Sequence, residues 1–194
     1  MSSFPTTSTT LLANLAEQES GIDQAEWNRF FALYYPVMVE FARARGAGDD
    51  SEDVVQEVLA DLVKVFQEGR YVSGKGQFKS YLATMLRNEL ISRFRRKQAK
   101  SRVDGRARTP AAPSAAFFDD DLPVWNLARH RAAVDHVLTK TALSEQSRRI
   151  YRELLATGDN CAKVARRMGL PAATVRQVKS RVSRMIAAFE NATK

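Results

Sequence analysis

Between Asn160 and Phe189 the chain carries no acidic residue, and one break, at Gly169-Leu170-Pro171, divides this stretch. Gly169 stands where a turn needs positive φ, and Pro171 suits the first turn of a following helix, where its missing N–H is no loss. Ala165 is small where two helices would cross, and Val175 falls where the second must pack back on the first. From there Val178, Val182, Met185 and Phe189 recur on one face at helical spacing. Arg176, Gln177, Lys179, Ser180, Arg181 and Arg184 occupy the other face. The segment reads as a helix-turn-helix, whose second helix lies in the DNA major groove. An ordinary helical hairpin with a basic solvated face fits the same residues, so the rest of the chain must decide.

A chain of 194 residues suits one domain or two small ones. Its net charge of +8 favours a polyanionic partner. A membrane surface is the competing polyanion, but there is no long apolar run. The opening Ser-Ser-Phe-Pro-Thr-Thr-Ser-Thr-Thr lacks the basic start and apolar centre of a secretory leader, and a flexible tail is expected over 1–24. Cys161, the one cysteine, can form no internal disulfide and reads as a small packing residue. With His130 and His136 it makes no familiar metal spacing, and no cofactor is expected. These properties point to a cytoplasmic nucleic-acid-binding protein.

Charge is segregated along the chain. Asp49, Asp50, Glu52, Asp53, Glu57, Asp61 and Glu68 face one base, Lys64, within 49–68. Nine bases lie within 87–108, among them Arg87, Arg93, Arg95, Arg96 and Lys97, against Glu89 and Asp104. Three helices are expected around these runs. The first has Trp27, Phe30, Phe31, Tyr34, Met38 and Phe41 on one face, with Pro36 inside it, where a kink or a lost hydrogen bond follows. The second opens on the acids at 49–53, suited to a helix N-terminus, and buries Val54, Val55, Val58, Leu59, Leu62, Val63 and Phe66. After a loop with three glycines, the third runs from about Phe78 to Gln98, with Phe78, Tyr81, Leu82, Met85, Leu86, Leu90, Ile91 and Phe94 inward.

From Ala99 the pattern breaks into linker composition, ending in an acidic patch, Phe117-Phe-Asp-Asp-Asp-Leu-Pro123. Near Arg129 a second domain begins. Val134, Val137 and Leu138 mark one helix; Ser144 caps another, with Ile150, Tyr151, Leu154 and Leu155 inward and Gly158 at its end. No strand alternation or internal repeat is present. The expectation is all-α: two small helical domains, 25–99 and 129–194, joined by a flexible linker over 100–128.

In this order the pieces resemble an extracytoplasmic-function (ECF) sigma factor, the minimal two-domain bacterial transcription initiation factor. Asp49-Asp-Ser-Glu-Asp-Val-Val-Gln-Glu-Val-Leu59 looks like that family's polymerase-binding helix. Phe78-Lys-Ser-Tyr-Leu-Ala-Thr-Met-Leu-Arg-Asn-Glu-Leu-Ile-Ser-Arg-Phe-Arg-Arg-Lys97 is similar to the helix that opens and reads the −10 element. Leu143-Ser-Glu-Gln-Ser-Arg-Arg149 with the helix-turn-helix resembles the −35 reader. The resemblance spans Trp27–Gln98 (region 2) and Arg131–Glu190 (region 4).

The resemblance implies three sets of contact residues. Asp50, Glu52, Asp53, Gln56, Glu57 and Asp61 would meet a basic coiled coil of the polymerase β′ subunit, where opposite charge speeds encounter and fixes register. Tyr71, Lys75, Phe78, Arg87, Asn88, Arg93, Arg95, Arg96 and Lys97 would meet −10 DNA. Among these, Asn88 hydrogen-bonds an unstacked base, Tyr71 is an aromatic wall, and the cations hold phosphates. Thr174, Arg176, Gln177, Ser180 and Arg181 would meet −35 DNA, since arginine pairs with guanine and glutamine with adenine edges.

The chain also departs from the family pattern. Tyr81 stands for a usual tryptophan, Ser92 for a frequent aspartate and Lys163 for a glutamate, and Val178-Lys179 inverts the common order. The 117–122 patch suits either a nucleic-acid mimic threading the polymerase or a plain tether. Partners implied are core RNA polymerase (β′ coiled coil and β flap), promoter DNA and an anti-sigma factor acting in trans, with no membrane. A transcriptional regulator of another kind accounts for the C-terminal half but not for the acidic and basic helices before it. An enzyme is not expected, because no phosphate loop, metal cluster or nucleophile–base pair is present.

Overall fold

A computed structural model describes residues 24–71, 78–103 and 121–193, without the side chains of 100–103. The described residues are all-α, as expected: seven helices and one short 3₁₀ turn, with no strand. They are α1 (Gln24–Ala44), α2 (Ser51–Gln67), α3 (Phe78–Val103), α4 (Asp121–Lys140), α5 (Glu145–Ala156), α6 (Cys161–Met168) and α7 (Ala172–Ala192). The 3₁₀ turn, Gly48–Asp50, leads directly into α2. The chain divides into two compact units, and the division falls inside α4, between Arg129 and His130.

In the first unit α1 packs on α2 and α3, and α2 packs on α3. Pro36 does not end α1, because the apolar residues on either side of it are buried: Leu33, Tyr34, Val37 and Met38. Their burial outweighs one absent backbone donor. On α2 the buried row is Val54, Val55, Val58, Leu59, Leu62, Val65 and Phe66. Val65 thus replaces the expected Val63, which is half-buried. Phe30, Tyr34, Phe66 and Phe78 form an aromatic cluster in which Phe78 sits edge-on to Phe30 at 5.9 Å and to Tyr34 at 5.5 Å.

Helix α3 is longer than its periodicity suggested, running to Val103, and residues 121–128, expected as linker, form the opening turns of α4. Trp125 explains the second difference. It is fully buried, 5.7 Å from the Phe41 ring, so the first turns of α4 form a fourth helical piece of this unit. Pro123 lies in the first turn of α4, where its missing donor costs nothing.

In the second unit α5 and α6 pack on α7, and α6 packs on α5. Ser144 caps α5 as expected, its hydroxyl accepting from the Ser147 N–H at 3.2 Å. Asn160 does the same for α6, accepting from the Lys163 N–H at 2.9 Å. Each such cap is worth about 1 kcal/mol. Gly169 stops α6 with φ 63°, and the Leu170 N–H closes the end by donating to the Ala165 carbonyl at 3.0 Å. The core face of α7 runs through Val175, Val182, Ile186 and Phe189. Ile186 takes the place expected for Met185, which is half-buried.

Candidate functional site

Three surfaces are assembled from these elements, two in the first unit and one in the second.

The first is the outer face of α2. Glu52, Asp53, Gln56, Glu57 and Asp61 are exposed, and Asp50 is half-exposed at the helix start. They alternate with the buried apolar row at helical spacing, so the fold that buries Val54, Val58 and Leu62 necessarily turns the carboxylates outward. Asp50 and Glu52 also lie near the α2 N-terminus, where the helix dipole favours negative charge. Several of these acids already hold cations. Asp53 lies 3.8 Å from Arg93, Glu52 lies 3.9 Å from Arg43, Asp61 binds Lys64 at 3.0 Å, and Asp50 pairs with Lys97. Glu57 has no ion pair among the described residues.

The second surface is the basic flank of α3. Asn88, Arg95, Arg96 and Lys97 are exposed, while Arg87 and Arg93 are half-buried. Glu89 organises part of the flank, accepting from Arg93 Nε at 3.2 Å and from Arg96 at 2.7 Å. Arg95 has no ion pair among the described residues. Arg87 lies 3.6 Å from Asp121, whose carboxylate also accepts from Arg45 at 2.8 Å. Sequence reasoning missed this partner, because nothing in a linker-like stretch points back to Arg45.

Tyr71 is half-buried against Phe66, Phe78 and Tyr81, with ring centroids 5.6, 5.4 and 5.7 Å away. Burial raises its hydroxyl pKa, helped by Tyr81. It stays neutral at ordinary pH and offers an O–H and a ring edge. Phe78 is different from the other expected DNA contacts. At 8% exposure it belongs to the core, where its ring lies edge-on to Tyr71. Lys75, expected beside them, lies outside the described residues.

The third surface is α7. Arg176, Gln177, Ser180 and Arg181 are all exposed, and Thr174 is half-buried at the helix start. Arg176 and Arg181 have no ion pair among the described residues, so their charge is available to a partner. Lys179 behaves differently, lying 3.3 Å from Asp159. Val178 is half-buried, and Lys179 reaches back to the loop between α5 and α6.

One feature of the second unit had no counterpart in the sequence reading. A cleft of about 510 Å³ opens between α5 and the α6–α7 turn, lined by Gln146, Arg149, Arg152, Glu153, Arg167, Met168 and Leu170. Arg167 spans it to Glu153 at 3.2 Å. The signal was the Arg149–Arg152 spacing on one face of α5, legible only once α6 was known to lie beside it.

No group of metal-ligating side chains occurs among the described residues, and no described helix is long and apolar enough to cross a membrane. Residues 30–100 match the family model of sigma-70 region 2. The match takes in most of α1, all of α2 with its acids, and the basic flank of α3. No curated protein and no solved structure matches the chain.

Proposed function

We propose, from the sigma-70 region 2 match, that this chain is an ECF sigma factor: it binds core RNA polymerase and directs it to promoters by reading −10 and −35 elements. The observation that carries the reading is the order of surfaces. An acidic helix and a basic helix, both inside the matched region, precede a helix-turn-helix whose second helix turns Arg176, Gln177, Ser180 and Arg181 outward.

In this reading the exposed acids of α2 dock on a basic segment of the polymerase. Complementary charge there contributes to on-rate and register more than to raw affinity. The α3 flank then holds the −10 strand, with Arg95, Arg96 and Lys97 on phosphates and Asn88 on the edge of an unstacked base. Tyr71 supplies a neutral aromatic edge beside it, held in place by Phe78. Helix α7 enters the major groove at the −35 element. Bond formation belongs to the polymerase, and the chain contributes positioning and strand separation.

The test is reconstitution. Purified chain plus core polymerase should start transcripts at a promoter that neither recognises separately, and permanganate should detect open −10 thymines. Asn88→Ala should preserve duplex binding and reduce that reactivity by about tenfold, the loss of one good base contact. Absence of promoter-directed transcripts with active core polymerase would remove the sigma-factor reading.

A further inference from the structure

The start of α4 places a carboxylate against a cation that the proposed function gives to DNA. Asp121 is fixed from one side: its Oδ1 accepts from Arg45 at 2.8 Å, and the Arg45 side chain is only 6% exposed. Its other oxygen, Oδ2, lies 3.6 Å from Arg87. The Asp121 side chain is 13% exposed and that of Arg87 33%, so solvent screens this contact less than it screens the pairs on α2. Trp125, one turn further on, anchors the same segment against Phe41.

We propose that Asp121 is an internal competitor for nucleic-acid phosphate at Arg87. The carboxylate occupies the guanidinium in the free chain, and a strand must displace it to use that cation. This rests on the proposed DNA-binding role of the α3 flank. Arg45 keeps Asp121 in place whether or not Arg87 is engaged, so the exchange needs only the Arg87 side chain to swing from one anion to another. Arg95, with no ion pair, is available from the start, whereas Arg87 responds only to a strand close enough to outbid Asp121. Arg87 therefore discriminates between loosely and closely bound strands.

The anchoring of α4 is strong but imperfect. Trp125 is fully buried, yet its indole N–H has no hydrogen-bond partner among the described residues. An orphaned donor offsets part of what ring burial contributes. On the outside of the same segment, Leu122 and Leu127 are 44% and 48% exposed.

The experiment uses the full chain and a fluorescent single-stranded DNA oligonucleotide. Asp121→Asn retains an acceptor for Arg45 and removes the charge facing Arg87. It should raise affinity about threefold to fivefold, the upper range for one exposed ion pair. It should also steepen the salt dependence, by up to about 0.7 in log–log slope, the share of one single-strand phosphate contact that Asp121 holds back in the unmodified chain. Asp135→Asn, an exposed acid elsewhere on α4, controls for net charge and should do neither. In an Arg87→Ala background the gain from Asp121→Asn should vanish.

A second measurement needs no change at Asp121. In the unmodified chain, the Arg87 side-chain Nε–H resonance, assigned through its loss in Arg87→Ala, should shift when oligonucleotide saturates, and that of Arg45 should not. An unmoved Arg87 signal, or an Asp121→Asn gain that survives in Arg87→Ala, overturns the competition. If Arg95→Ala weakens binding while Asp121→Asn does nothing, the competition fails and the DNA-binding role stands. If no chain binds the oligonucleotide, both fall.

Discussion

Arg93 Nη1 lies 3.8 Å from Asp53 Oδ2, joining the basic flank of α3 to the acidic face of α2. A second bridge, Lys97 to Asp50, repeats the connection one turn away. Charges that look segregated along the chain are therefore interleaved in space. The Asp53 side chain is 73% exposed, so its pair with Arg93 contributes at most about 1 kcal/mol to stability. The carboxylate remains open to another partner.

Reversing charge at Asp53 and Glu57 tests that partner. Asp53→Lys with Glu57→Lys should lower affinity for core polymerase at least about tenfold, because like charges placed across an interface cost several kcal/mol. Both positions are exposed, so helical circular dichroism should be unchanged. Full affinity with intact helicity, measured by pull-down or surface binding, would take docking away from this face.

Promoter choice separates two arginines on α7. If Arg176 pairs with guanine, Arg176→Ala should cost about 1–3 kcal/mol and relax preference at one −35 position. Arg181→Ala should weaken all promoters alike and reduce the salt slope by about one, as a phosphate contact does. Binding-site selection on each variant decides between them. An unchanged sequence preference with Arg176→Ala would show that this residue does not read bases.

The turn of the second unit carries a conformational prediction. A Cβ at Gly169 would meet nothing within 4 Å, so Gly169→Ala is penalised only through the backbone at φ 63°. The expected loss is about 1 kcal/mol. Urea unfolding followed by circular dichroism measures it. A neutral result would mean that the turn relaxes to negative φ without loss.

His136 predicts a pH dependence. Its ring is 4.9 Å from Phe189, and burial lowers its pKa below the usual 6.5; Lys140 lowers it further, against an opposing effect of Asp135. The unfolded chain therefore binds a proton at higher pH than the folded one. Stability should be fully present above about pH 6.5 and fall as pH drops through that value toward the folded pKa. His136→Asn should flatten this slope relative to the unmodified chain. An identical slope in thermal melts between pH 5 and 8 would exclude His136 as the cause.

Local signals were legible in the sequence where the physics is local. Ser144 and Gly169 act through hydrogen bonds and a dihedral angle within a few residues, and both are where the sequence places them. The outward turn of Glu57 and Arg176 follows directly from helical periodicity. What escaped depends on tertiary contact. Trp125 lies in a Pro- and Asp-rich stretch without periodicity, and its place in a core comes from tertiary contact, the Phe41 ring included. Phe78 was expected at −10 DNA from the resemblance of the start of this helix to the family's base-capturing loop, and its ring closes an aromatic cluster drawn from α1 and α2, a contact that only the tertiary fold supplies. Val65 replaced Val63 in the core, and Ile186 replaced Met185, at the edges of faces whose other positions are buried as expected, a choice that packing alone decides.

Helix α6 has eight residues, fewer than an isolated helix needs to persist in water. Asn160 and Gly169 secure its two ends, and Val164 and Ala165 are buried along its length. The rod that follows is thus held with its pitch relative to α6 already set. If α7 enters a groove as proposed, the encounter resembles a key meeting a lock more than a strand folding onto a template. Calorimetry should accordingly record a heat-capacity change set by the surfaces that meet, without the extra increment of coupled folding.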